Sequence, residues 1–344
     1  MATTAIDVRQ PLDVDELPAS RKPPSIARQL VSNRLSIAGF TLLIFFALVA
    51  IFAPVLAPPL PNARDAMLIP RDGFGVVPQP PGTVWGRNPP PLPFWWRTLT
   101  GLDHWTHPFG VASGGWDIYY GVIWGTRTAF LAGMIITFTT LVIGVLIGSI
   151  SAYYGGIVDL ILQRITEVFM TFPFLMAALT AATILSPIIG AKAGVGGAGL
   201  FTAGIAIIVF GWMGYARLIR GDILSVRERD YVMAARAVGS RDLRIMTRHI
   251  IPNAVFPTLV VASLDIGTYV VTFAALSFLG LGAEQGYADW GQLVSFARNF
   301  ITTLDKYWYM IFFPGMALVF FVLGWNLVGD AARDILDPRM RKTR

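Results

Sequence analysis

Apolar positions along the chain fall in long blocks instead of alternating with polar ones. Six blocks reach the roughly 20 residues a helix needs to cross a hydrocarbon core of about 30 Å. They cover residues 36–57, about 129–152, 169–189, 200–215, about 254–281 and 308–328. Pro173 and Pro187 interrupt the third, and the run GAKAGVGGAG joining it to the fourth reads as a short link or a re-entrant turn. The pattern predicts an all-α polytopic membrane protein with six transmembrane helices. Residues 36–57 follow a mostly polar stretch and exceed a usual signal h-region, so they read as a retained span.

Composition agrees with that class. A mean hydropathy of +0.59 with 14% charged residues over 344 residues is too apolar for an ordinary soluble domain. The net charge of +6 and pI near 9.7 acquire meaning from their placement. With the N-terminus inside, 19 Lys and Arg fall in inner segments and 8 in outer ones, which puts both termini in the cytoplasm. The chain then divides into a cytoplasmic tail (1–35), a first helix (36–57), an extracytoplasmic segment (58–128), helices two to six (129–329) and a second cytoplasmic tail (330–344). Within the core, residues 216–253 form a cytoplasmic loop. The absence of cysteine excludes disulfides, thiol catalysis and thiolate metal sites.

That loop holds the stretch DYVMAARAVGSRDLRIMTRHIIPNA, a basic segment in the middle of an apolar chain. Its residues predict a helical hairpin. Gly239 stands where a helix end wants a left-handed residue, Ser240 can cap the next helix with Asp242 in its first turn, and Pro252 closes it. Ala234, Ala235 and Val238 give the first arm a small-residue face. Three readings stand open: a solvated positive-inside loop, a DNA-binding helix-turn-helix with its Ala-x-x-x-Gly turn, or a docking element for a cytoplasmic protein.

The stretch resembles the EAA loop of ABC-importer permeases, which runs Glu-Ala-Ala, three residues, Gly, nine residues, Ile-x-Leu-Pro. Here Met233, Ala234 and Ala235 are followed at the same spacing by Gly239 and by His249-Ile250-Ile251-Pro252. Met233 replaces the leading Glu, leaving Arg229, Asp230 or Arg236 for polar contact with a partner. FGVASGGWDIYYGVIWGTRTAF, AALSFLGLG, DWGQLVSFARNF, FFPGMALVF and LGWNLVGDAARDILDPRMR continue the likeness, in order, to the dipeptide, oligopeptide and nickel branch and its "C"-type permease.

The resemblance implies the type I importer permease fold and a transport role without catalysis by this chain. It implies that the chain binds no cofactor, with ATP and Mg held on partner ATPase subunits. Partners so implied are a second homologous permease, two ABC ATPases, an extracytoplasmic binding protein and membrane lipids, with no nucleic acid. Peptides are the default cargo, with nickel or another small solute as the alternative. The setting is a bacterial or archaeal cytoplasmic membrane. A membrane-anchored DNA-binding regulator is the alternative of another class. The coupling residues carried over are Met233, Ala234, Ala235, Arg236, Gly239 and Pro252.

Other features stand beside the resemblance. Where many relatives carry an acid before Ala-Ala-Leu-Ser-Phe, this chain has Phe273, and Asp265 lies about two turns earlier. Asp265 and Asn326 are polar groups inside spans and mark either the translocation path or a contact between helices or subunits. Gly144-x-x-x-Gly148 offers a flat surface suited to a subunit interface. The tryptophan-rich segment 58–128 predicts an ordered cap, and His104 and His107 in it read as ordinary loop histidines sooner than metal ligands. No phosphate-loop motif occurs.

Overall fold

The computed structural model describes residues 33–336 apart from 62, 88 and 194–197. Most of the N-terminal tail, the middle of the glycine-rich link and the end of the C-terminal tail therefore lie outside the described residues. In chain order the elements are α1 (Arg34–Leu56), β1 (Thr83–Val84), α2 (Phe94–Thr100), β2 (Thr106–His107), β3 (Val111–Ala112) and β4 (Trp116–Asp117). Then come α3 (Ile118–Tyr154), α4 (Gly156–Met170), α5 (Phe174–Ala193), α6 (Ala198–Val226), α7 (Asp230–Ala237) and α8 (Asp242–Ile245). A π turn (Met246–Ile250) leads into α9 (Ile251–Phe278), followed by α10 (Trp290–Ser295), a 3-10 turn (Arg298–Thr303), α11 (Leu304–Tyr307) and α12 (Tyr309–Leu336).

The second span begins well before residue 129. Asp117 caps it by accepting from the Tyr120 amide at 2.5 Å, and the helix runs without a break from Ile118. Arg127 hides this extension from a hydropathy reading, and its role explains why it is tolerated. Pro54 inside α1 has no N–H for the Ala50 carbonyl, and Arg127 supplies the donor at 2.5 Å, with a second bond to Ile51 at 3.2 Å. The last carbonyls of α1 are satisfied likewise, Val55 by Trp95, Leu56 by Tyr119 and Ala57 by Trp124.

The third block is not one straight span. α4 and α5 meet at 90° across Thr171–Pro173, where Pro173 cannot continue the helix. Gly144 and Gly148 do not wait for another subunit: they receive α6 of the same chain. A Cβ on Gly144 would stand 2.5 Å from the Tyr215 Cβ and 2.6 Å from the Trp212 carbonyl, so the helices meet backbone to backbone. The core beside this seam is built from Ile136, Ala203, Ala206, Ile207, Tyr215, Ala262, Tyr269, Phe273 and Leu276.

The segment between α1 and α3 is an ordered cap. Two antiparallel pairs, β1 with β2 and β3 with β4, clamp it together. Backbone bonds from Ile69 to Gly286 and from Ala288 to Met67 tie it to the loop after α9. Trp85, Trp96 and Trp105 are buried, Trp96 and Trp105 meeting edge to face with centroids 4.4 Å apart.

Candidate coupling hairpin and membrane cavity

An ion pair joins α4 to α6, the helix that leads into the hairpin. Arg220 on α6 grips Asp159 on α4 with two bonds of 2.7 and 2.6 Å, and Ser151 donates to the same carboxylate at 2.5 Å. Arg227 donates to the Ala152 carbonyl at 2.8 Å, holding the end of α6 against the end of α3. On this base Val232, Ile245 and Ile250 are fully buried with Ala152, Ile219, Ile223 and Ala254. The hairpin therefore has its own small core and a fixed orientation.

Gly239 has φ of +75°, as its position predicts. Its amide donates to Arg236 and the Ser240 amide to Ala235, the pair of bonds that closes a helix through a left-handed residue. No Ser240 cap forms, because Arg241 takes the capping position of α8. Asp242 instead accepts from the Tyr153 hydroxyl at 2.6 Å, and the Arg236 guanidinium stands 5.6 Å from the Tyr153 ring. Tyr153, at the end of α3, is the clamp that motif spacing did not reveal.

Pro252 does not close the second arm. It sits in the first turn of α9, where its missing N–H is tolerated, and the ladder before it widens into the π turn. Asn253 donates its side-chain amide to the His249 carbonyl at 2.7 Å, so the helix continues. Residues Asp242–Phe278 form one apolar helical run of 37 residues. The second arm of the hairpin is thus continuous with the fifth span, and the short α8 is not a separate recognition helix for a DNA groove.

The six carried-over residues divide by face. Ala235 is half-buried against the small core, whereas Met233, Ala234, Arg236 and Gly239 are exposed and Pro252 lies at the start of α9. Met233 is 50% exposed, Val238 81% and Leu243 66%. An apolar surface thus remains open on a basic hairpin in the middle of the chain.

A second feature lies within the membrane-spanning part. A cavity of about 270 Å³ opens at the break between α4 and α5. Met170, Phe172 and Phe174 line it from the break, Phe210, Gly211, Met213 and Gly214 from α6, and Asp265, Thr268 and Tyr269 from α9. The Tyr269 hydroxyl donates to the Gly211 carbonyl at 3.0 Å. Asp265 is half-buried and lies beside the hydroxyls of Tyr215 and Tyr269. Asn326 is exposed on α12 and is not part of this lining.

In the cap, His107 is fully buried between two carboxylates, its Nδ1 2.5 Å from Asp117 and its Nε2 3.0 Å from Asp72. Trp85 lies over the ring at 4.2 Å. Burial opposes a charge on His107, but the two carboxylates outweigh it and raise its pKa above 6.5. Asp72 is held below the usual carboxylate range: burial works against its ionisation, while the amides of Gly73, Gly86 and Arg87 and the His107 ring favour it more. Both ring nitrogens of His107 are occupied, and His104 offers its backbone carbonyl to Trp96. The histidine spacing signals a structural clasp whose acidic partners lie 35 and 10 residues away.

The second arm of the hairpin thus stands at the end of a continuous membrane helix, with a cavity farther along that helix. Residues 144–342 match the family described as binding-protein-dependent transport system inner membrane component, and residues 25–81 match the N-terminal TM domain of oligopeptide transport permease C. The chain belongs to the first family and is a multi-pass inner-membrane permease of the ABC-importer type. It is 32% identical over 314 residues to the dipeptide transport system permease protein DppC of Alkalihalophilus pseudofirmus, covering 91% of this chain and 89% of that one. It is 33% identical to the probable D,D-dipeptide transport system permease protein DdpC of Escherichia coli, covering 90% and 89%. The oligopeptide transport system permease protein OppC of Bacillus subtilis is 31% identical, covering 90% and 88%.

Proposed function

We propose that this chain is the "C"-type permease of an ATP-driven importer of dipeptides or oligopeptides. It forms the path with a second homologous permease, and two ATPase subunits hold ATP and Mg. A binding protein delivers substrate on the cap side, and both termini are cytoplasmic. The names of its relatives support the peptide cargo. The observation that carries the coupling role is the exposed apolar face of Met233, Val238 and Leu243 on a hairpin continuous with α9.

The mechanism follows from stiffness. Closure of the ATPases on ATP shifts a hairpin seated in their surface grooves. From Asp242 to Asp265 the helix spans about 35 Å at 1.5 Å per residue, and a rigid element passes such a displacement on. A flexible loop would absorb it. The double substitution Met233→Asp and Val238→Asp leaves the inner face of Val232 and Ala235 intact, and is expected to lower uptake at least tenfold while ATP hydrolysis by the ATPases persists. Wild-type uptake by that variant would refute the docking role.

A further inference from the structure

An ionised carboxylate inside a bilayer is expensive unless it faces a partner or a polar cavity. Asp265 stands at the middle of α9, and among the described residues no Lys, Arg or His forms an ion pair with it. What faces it is the cavity at the α4–α5 break, lined by three phenylalanines, Tyr269, Met170 and Met213. Irregular backbone at membrane depth is tolerated where it lines such a space. Gly214 leaves the wall open, since a Cβ there would meet nothing within 4 Å.

We propose that this cavity is a subsite for the positively charged N-terminal amine of a peptide in transit, with Asp265 as its counter-ion. The proposal rests on the peptide reading above. Three features of the lining select this chemistry. A carboxylate with hydroxyl neighbours but no cationic partner among the described residues offers a counter-charge to a cation entering the cavity. Aromatic faces attract an ammonium through their quadrupoles while giving an adjoining apolar side chain a surface to lie on. Methionines fit side chains of varied shape, as a path for peptides of mixed sequence requires. The volume of about 270 Å³ suits the first residues of a peptide and not a folded chain. The site lies on the helix that carries the hairpin, so movement of α9 relative to the break would change the grip on the amine. Binding is expected to be weak, because a site on a transport path must also release.

The test uses the chain assembled with its partner permease and ATPases in nanodiscs, without binding protein, so that only the membrane path contacts the probe. Binding of labelled alanyl-alanine is compared with that of N-acetyl-alanyl-alanine, which has no charge on its amine. The wild type is expected to prefer the free amine by about tenfold, Asp265→Asn to abolish that preference, and Asp265→Glu to restore part of it. Equal binding of both probes by the wild type, or an unchanged preference in Asp265→Asn, overturns the proposal. Should Asp265→Asn fail to assemble, Gly214→Trp fills the cavity from α6 and is expected to abolish binding; unchanged binding overturns the proposal. A parallel uptake assay with binding protein separates the two readings: peptide uptake by the wild type with no effect of Asp265 sinks the subsite alone. No peptide uptake by the wild type sinks the peptide reading itself.

Discussion

The cap and the hairpin both leave large apolar side chains in the open, but they are held together differently. In the cap, Trp96 and Trp105 pack on one another and the buried His107 has a carboxylate on each ring nitrogen, while Val76, Phe94 and Leu99 stand in the open. At the hairpin, buried residues form only a narrow core, and Met233, Val238 and Leu243 stand in the open. The cap is held by a buried polar clasp, whereas the hairpin is held by a narrow apolar core. The coupling role proposed above needs fixed geometry, which the continuous α8–α9 helix and the Tyr153–Asp242 bond favour.

This contrast can be broken at either end. The largest effect is expected from His107→Ala, which leaves Asp72 and Asp117 facing each other without the imidazole. Removing one partner of a buried charged set costs about 3 kcal/mol or more. The measurement is protease sensitivity of residues 58–117 in the membrane-embedded protein, with cleavage expected in the variant and resistance in the wild type.

A smaller effect is expected from pH. The raised pKa of His107 means that its contribution is fully present below pH 6.5 and is lost as pH rises through the value in the folded protein. Asp289, which caps α10 beside the cap's anchoring loop, is pushed up to about 6 by burial and acts in the same direction. Asp72 acts oppositely, its contribution being lost only as pH falls below the ordinary carboxylate value of 3.8. Protease resistance of the cap should therefore be greatest between these limits and decline on the alkaline side. A flat profile in the wild type, or the same slope in His107→Ala, would contradict the clasp.

The smallest effect belongs to Gly239→Ala. A Cβ there meets nothing within 4 Å, so the change introduces only left-handed strain of roughly 1 kcal/mol. Uptake is expected to fall modestly, by far less than in the Met233 and Val238 double variant; a loss as large would show that hairpin geometry matters more than its exposed face.

Sequence reading was most informative where one rule acted alone. Long apolar runs marked the spans, and Gly239 announced its left-handed turn because few other residues take it cheaply. It failed where two distant groups act together. Arg127 concealed the start of α3, and only Pro54, far away in α1, explains its place. Pro252 reads as a stop in a local pattern, yet the π turn and Asn253 carry the helix past it. His107 pairs with Asp72 across 35 residues, and Tyr153 with Asp242 across 89, separations that no motif spacing encodes. Asp265 was visible as an intramembrane carboxylate, but the cavity it faces required the bend at Pro173.

The central claim is that the open face of the hairpin is covered in the working transporter while the cap stands free. The chain has no cysteine, so Val238→Cys and, in the cap, Val76→Cys each place a single thiol at positions 81% and 73% exposed. Labelling by a water-soluble maleimide is compared in the chain alone and in the complex with its ATPases, without binding protein. The account predicts strong protection at position 238 on assembly and none at position 76. Equal labelling of position 238 in both states would show that the hairpin is not the docking surface.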